Sequence, residues 1–180
     1  MSDIVIDADI MRSAGTSEHP HSRTSREVLE AIRDGNHRMV QCAPLKAEHH
    51  KHQSRFSSAW LATMTARKQS VHWTYEEDAA LRKTLVKALP PDSPSKEIAV
   101  LKDAHLLEAA AATGKRIISK DKTARDLFRL ACPVPGSHRH ILWGEMTLSA
   151  GAVIDWVKSG CVEQHDFKLC PPPPKNPKVK

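Results

Sequence analysis

Asp7, Glu48, Asp103 and Asp121, with Asp9 close behind the first, are the residues of this chain whose types and spacing could do joint chemistry. Asp7 and Asp121 each follow an apolar run, and open parallel sheets gather functional groups in the crevice beyond the carboxyl ends of their strands. Carboxylates held together repel unless a cation sits among them, and an all-oxygen donor set suits Mg2+ or Mn2+ rather than zinc. The chemistry of such a cage is metal-assisted hydrolysis. The ion acidifies a water, orients it in line with a scissile P–O bond and neutralises charge on the phosphate oxygens.

The elements that must position these acids are readable in part. Ile4, Val5 and Ile6 predict a short buried strand ending at Asp7, with Asp9 projecting from the same side if the strand continues. Asp103 is expected to open a helical stretch, where a helix N-terminus favours negative charge. Gly114 is expected to close that helix, and Arg116 to Ser119 predict a strand running out at Asp121.

With its acids in this order, the chain resembles the PIN-domain nucleases over about Ile4 to Trp143. That family has an Asp after its first strand, a Glu at the start of the helix after its second, and two later Asp. Here the second strand would be Arg38 to Cys42, with Pro44 marking the turn and Glu48 entering the next helix. KDAHLLEAAAATGKRIISKD looks like the family's third and fourth acidic motifs. The resemblance implies an α/β three-layer fold, with a central, mainly parallel sheet of four to five strands flanked by helices. It also implies an endoribonuclease that uses Mg2+ or Mn2+ to cut single-stranded RNA, single-stranded DNA being the other substrate. Such proteins are often the toxin partnered by an antitoxin or other regulatory protein, and a homodimer is expected. Asp7, Glu48, Asp103 and Asp121 carry over as catalytic residues. Asp7, Asp103 and Asp121 are the metal ligands, with Asp9 and Glu48 as further candidates. Asp9 stands where many members have Asn or Ser.

Other readings use the same residues. Singly, Asp7 is a turn acid, Asp103 a helix-start residue and Asp121 an N-cap for TARDLFRLA. Asp7 and Asp9 also form the Asp-x-Asp of a haloacid-dehalogenase-type phosphatase, with Asp7 as nucleophile. That family expects Gly-Thr or a similar pair soon after, where this chain has Ile10, Met11 and Arg12. An inactive RNA-binding module is the third class, although a phosphate-binding surface gains nothing from clustered acids. Glu27 and Glu30 compete with Glu48, but SREVLEAIRDG reads as a surface helix with Thr24 and Glu27 in a capping box.

The formal net charge is +6 and the isoelectric point near 9.3, yet Lys175, Lys178 and Lys180 of the last ten residues supply much of the excess. A cluster from Arg33 to Arg55 is more persuasive, and Lys46, Lys51 and Arg55 beside Glu48 are candidate phosphate contacts. Lys120 beside Asp121 is another, although a solvated lysine is the preferred reading. EHHKH lacks zinc-protease spacing and reads as a solvated basic face, with Glu48 and His52 on one side. His105 contacts substrate, orients a neighbour or packs.

Cys42, Cys132, Cys161 and Cys170 read as free thiols, and a zinc site using His138, His140 and His165 lacks any CxxC pair. No apolar stretch spans a bilayer and no signal-like start is seen, which predicts a cytosolic chain without a membrane partner. The middle is expected to be helical. Phe56, Trp60 and Met64 form one stripe, and Leu81, Leu85 and Leu89 another, opened by a Thr74 and Glu77 capping box. Arg12 to Ser25 is expected as a loop over the site, His140 to Trp143 as the last strand and SAGAVIDWVKSG as the closing helix. One domain over 1–160 and an extended, Pro- and Lys-rich tail over 161–180 complete the expectation.

Overall fold

Ile4, Val5 and Ile6 are fully buried, as a central strand covered on both faces requires. The computed structural model describes residues 1–171. In chain order it contains β1 (Asp3–Ile6), α1 (Ala8–Ser13), α2 (Pro20–Asp34), β2 (Arg38–Gln41), α3 (Ala43–His52), α4 (Arg55–Ala66) and β3 (Ser70–His72). There follow α5 (Ala79–Lys87), α6 (Pro94–Ala112), β4 (Arg116–Ser119), α7 (Lys122–Arg129), β5 (Leu142–Glu145) and α8 (Met146–Lys158). The strands form one parallel sheet in the order β3-β2-β1-β4-β5. The chain is therefore α/β, with helices on both sheet faces.

Alternation along the strands divides the core. Ile4, Ile6, Met39 and Ile118 face α1, α2, α4 and α8, whereas Val5, Val40 and Ile117 face α3, α5, α6 and α7. Each large aliphatic side chain buried this way contributes about 1.5–3 kcal/mol. The strand order reverses between β1 and β4, so a crevice opens there beyond the carboxyl ends, beside Asp7 and Asp121. Gly114 closes the connection into β4, because a Cβ there would overlap the Asp3 carbonyl oxygen.

Several local expectations are corrected. Asp103 lies within α6, which already starts at Pro94, because Pro is favoured in a first helical turn. Glu48 likewise sits well inside α3. Thr24 is inside α2, its hydroxyl bonded to the Pro20 carbonyl, and His19 is the cap. Asp78, not Thr74, caps α5 by accepting from the Leu81 N–H at 2.9 Å. Helices α1 and α2 take up most of the expected Arg12 to Ser25 loop. The last strand begins at Leu142 and follows a short 3-10 turn. The middle of the chain also contributes the strand β3.

Residues 161–171 belong to the folded body rather than to a tail. Phe167 stacks on Trp156 at 4.4 Å, Leu169 and Cys170 are buried, and Lys168 bridges to Leu142. The remainder of the expected tail, residues 172–180, lies outside the described residues. Cys132 and Cys170 are brought to a Cα–Cα distance of 5.4 Å and form a disulfide, correcting the expectation of free thiols. Disulfides persist in oxidising compartments, so this pairing gives no support to a cytosolic location. Cys42 and Cys161 are free and buried. Among the described residues, no helix is long and apolar enough to cross a membrane.

Candidate functional site

Asp7 leaves the end of β1 and caps α1, with Oδ1 accepting from the Asp9 N–H at 3.4 Å. Its backbone N–H donates to Ile118 across the sheet at 3.0 Å, which ties β1 to β4 at the crevice. Ser119, fully buried at the end of β4, donates its hydroxyl to Asp7 Oδ2 at 2.6 Å and accepts from the Asp121 N–H at 2.8 Å. One small side chain thus fixes two acids from two strands. Asp121 caps α7 by accepting from the Ala124 N–H at 2.8 Å, so its cap role coexists with its place at the site.

The site collects these acids from separate elements. Asp7, Asp9, Glu48, Asp103 and Asp121 line one cavity of about 210 Å3 together with Arg12, Lys51, His52 and Lys102. Glu27 and Glu30 line a different pocket on α2. Sequence reasoning singled out Lys51 as a cation of this site but missed Arg12, Lys102 and Ser119. Arg12 follows Asp9 by one helical turn, a spacing that could have flagged it; a buried serine carries no such signal. Lys46 and Arg55 are exposed and do not line the cavity. Lys120 is half-buried, with Nζ 3.5 Å from Ser25 Oγ, so it does not project into solvent as expected.

The electrostatics follow from burial. Desolvation pushes the Asp7 carboxyl upward against the opposing Ser119 hydrogen bond, and the charges of Asp103 and Glu48 add to the rise. Asp9 is pushed up to about 8 by burial and then by Asp7, although its Oδ2 accepts from the Lys120 N–H at 2.8 Å. Burial also raises Asp103, with Lys102 Nζ at 3.4 Å from its Oδ1 opposing the rise. Glu48 is held below the usual carboxylate range by His105, whose Nε2 lies 3.4 Å from Oε2. The His105 Nδ1–H donates to the Lys102 carbonyl at 3.0 Å, so a proton on Nε2 makes the ring cationic, and its pKa is raised despite burial. His105 faces Glu48 across this ion pair, its Nε2 making no hydrogen bond among the described residues. His49, expected on a solvated face, is buried and bonded to the Ile6 carbonyl at 2.7 Å, pinning α3 to β1.

Whether these residues suit a divalent cation is answered by the donors. Five carboxylates line the cavity with the single imidazole of His52, and Asp9 Oδ1 is buried with no hydrogen-bond partner among the described residues. Among the described residues, no three Asp, Glu, His or Cys side chains are grouped tightly enough to chelate one ion directly. Mg2+ keeps several waters and uses one or two direct carboxylates, so an open cage of this kind is compatible with it.

Compared with protein-family models, curated proteins and solved structures, the chain matches none.

Proposed function

We propose that this protein is a nuclease of the PIN type that hydrolyses phosphodiester bonds of single-stranded RNA with Mg2+ or Mn2+. The single observation that carries this reading is the convergence of acids from β1, α3, α6 and the β4–α7 connection on one cavity rimmed by Arg12, Lys51 and Lys102. A site for a neutral small molecule gains nothing from mutually repelling acids. A polyanion handled through a cation gains both from the acids and from the basic rim.

Asp7, Asp103 and Asp121 would hold the ion, at most two of them directly and the rest through its waters, with Asp9 and Glu48 beside them. When bound, the ion supplies an acidified water and offsets charge on the phosphate oxygens. Ser119 keeps the Asp7 carboxylate and the Asp121 backbone in fixed relation, so these acids need little reorganisation as substrate enters. His105 fixes Glu48 in its ionised state, where it can accept a proton from an attacking water. Arg12, Lys51 and Lys102 hold the phosphates on either side of the scissile bond. Regulation by an antitoxin-like partner belongs to the same proposal.

The test is cleavage of a single-stranded RNA by the full chain with Mg2+ or Mn2+, with EDTA and Asp103→Asn as controls. Cutting that needs the cation and is lost in the variant is the expected result. Release of inorganic phosphate from a small ester, without cutting, would favour the phosphatase reading with Asp7 as nucleophile. RNA retained in EDTA without turnover would favour a binding module.

A further inference from the structure

Beside the outer edge of β5, three buried polar atoms have no partner among the described residues: Arg125 Nε, Trp143 Nε1 and Glu145 Oε2. Their residues line a single cavity of about 430 Å3, walled by Leu148, Trp156 and Phe167. Trp143 and Glu145 are 2% and 4% exposed. Two residues apart on β5, they share the sheet face on which α7 places Arg125. The other carboxylate oxygen, Oε1, accepts from the Thr147 N–H at 2.9 Å and its hydroxyl at 2.6 Å. Glu145 is therefore held in place while Oε2 stays unused.

Each buried group left unpaired costs about 1–3 kcal/mol, and arrangements of this kind persist where something recovers the loss. A water occupies roughly 30 Å3 of liquid volume, far less than this cavity offers. The complement of two N–H donors and one acceptor is a carbonyl oxygen, with two lone pairs, beside a ring N–H. Guanine and uracil carry that lactam edge. Adenine and cytosine instead place an amino group beside a ring nitrogen with one lone pair. Trp156 and Phe167, stacked on each other, form the apolar part of the wall, and Asp155, Gln164 and Asp166 line the same cavity.

The location suits an RNA already engaged by the acids. Glu145 is the register partner of Ser119 on the neighbouring strand, about 4.8 Å away. Arg125 lies one helical turn beyond Asp121, about 6 Å along α7. We propose that this cavity receives one unpaired guanine or uracil of the RNA strand whose phosphate lies among the acids, so that cutting falls beside that base. The inference rests on the nuclease reading for its substrate, but not for its binding test.

That test is calorimetric titration of GMP, UMP, AMP and CMP into the full chain in EDTA, where neither metal nor turnover contributes. GMP or UMP, or both, should bind at least tenfold more tightly than AMP and CMP, and the two arms identify the base. Glu145→Gln should weaken that binding by about tenfold to a hundredfold. Because Glu145 also caps α8, Trp143→Phe serves as a second variant; it removes the indole N–H together with one ring and keeps a phenyl in the core. It too should weaken binding. No binding of any monophosphate would overturn the proposal, as would equal binding of all four that is indifferent to both variants. Selective GMP or UMP binding by a chain that cuts no RNA would leave the base site standing and the nuclease reading rejected.

Discussion

Replacing Ser119 with alanine removes a hydroxyl that serves two partners at a fully buried position. Asp7 loses a hydrogen bond to a carboxylate, worth about 1.5–3 kcal/mol, and the Asp121 N–H loses its acceptor at a cost of about 1–3 kcal/mol. Partial relaxation leaves a net loss of about 2–4 kcal/mol. For a chain of this length that is a fall of roughly 5–15 °C in the thermal midpoint, read by calorimetry in EDTA. The pH dependence has a definite sign. The Ser119 bond favours ionised Asp7 against the upward push of burial, so the gap between wild type and Ser119→Ala is largest well above the ordinary carboxylate value of 3.8. It shrinks as the pH falls and Asp7 becomes protonated in both proteins. Loss of this orienting partner should also weaken Mn2+ binding by about 10–100-fold in a titration at neutral pH. A midpoint and a Mn2+ affinity both equal to wild type would refute the argument that Ser119 organises the site.

Asp9→Asn tests the electrostatic frustration directly. With the Asp9 carboxyl pushed up to about 8, native stability of the wild type in EDTA falls as pH rises from about 4 toward 8, and the variant should escape that fall. Its advantage should grow with pH to a few kcal/mol in denaturant unfolding; a pH-independent difference would count against burial as the cause. Arg82→Met strips the Glu108 carboxylate, whose side chain is 1% exposed, of contacts at 2.7 and 3.0 Å, leaving only Tyr75 and the Asp78 N–H. The expected loss is about 3–5 kcal/mol in urea unfolding, and a loss below about 1 kcal/mol would show that the carboxylate is not stranded. Gly114→Ala places a methyl against the Asp3 carbonyl, so β1 or the α6–β4 connection must shift. About 1–3 kcal/mol should be lost, and amide exchange in β1 should accelerate; unchanged exchange would mean that the connection absorbs the change without moving the strand.

The acids and their strands were legible because burial on both faces demands uninterrupted apolar residues, and Ile4 to Ile6 and Ile117 to Ile118 supply them. The stripes of Trp60 with Met64 and Leu81 with Leu85 followed from helical period, and all are core. Helix starts were less legible, since Asp78 and Thr74 are equally plausible caps until tertiary packing picks one. The strand β3 escaped because Ser70, Val71 and His72 form a three-residue edge element, too short for any period to register.

By itself the sequence determined which groups could do chemistry, the α/β alternation, and the strand ends that carry Asp7 and Asp121, because these depend on residue type and local period. Only the tertiary structure decided which cations join the acids. Arg12 and Lys102 enter the cavity while Lys46 and Arg55 stay outside, a choice made by where α1, α3 and α6 cross the sheet edge. The same holds for Ser119 between Asp7 and Asp121, His105 against Glu48, and Cys132 with Cys170. Each is a pairing across a long stretch of chain, and such contacts exist only once the sheet order has brought distant segments together.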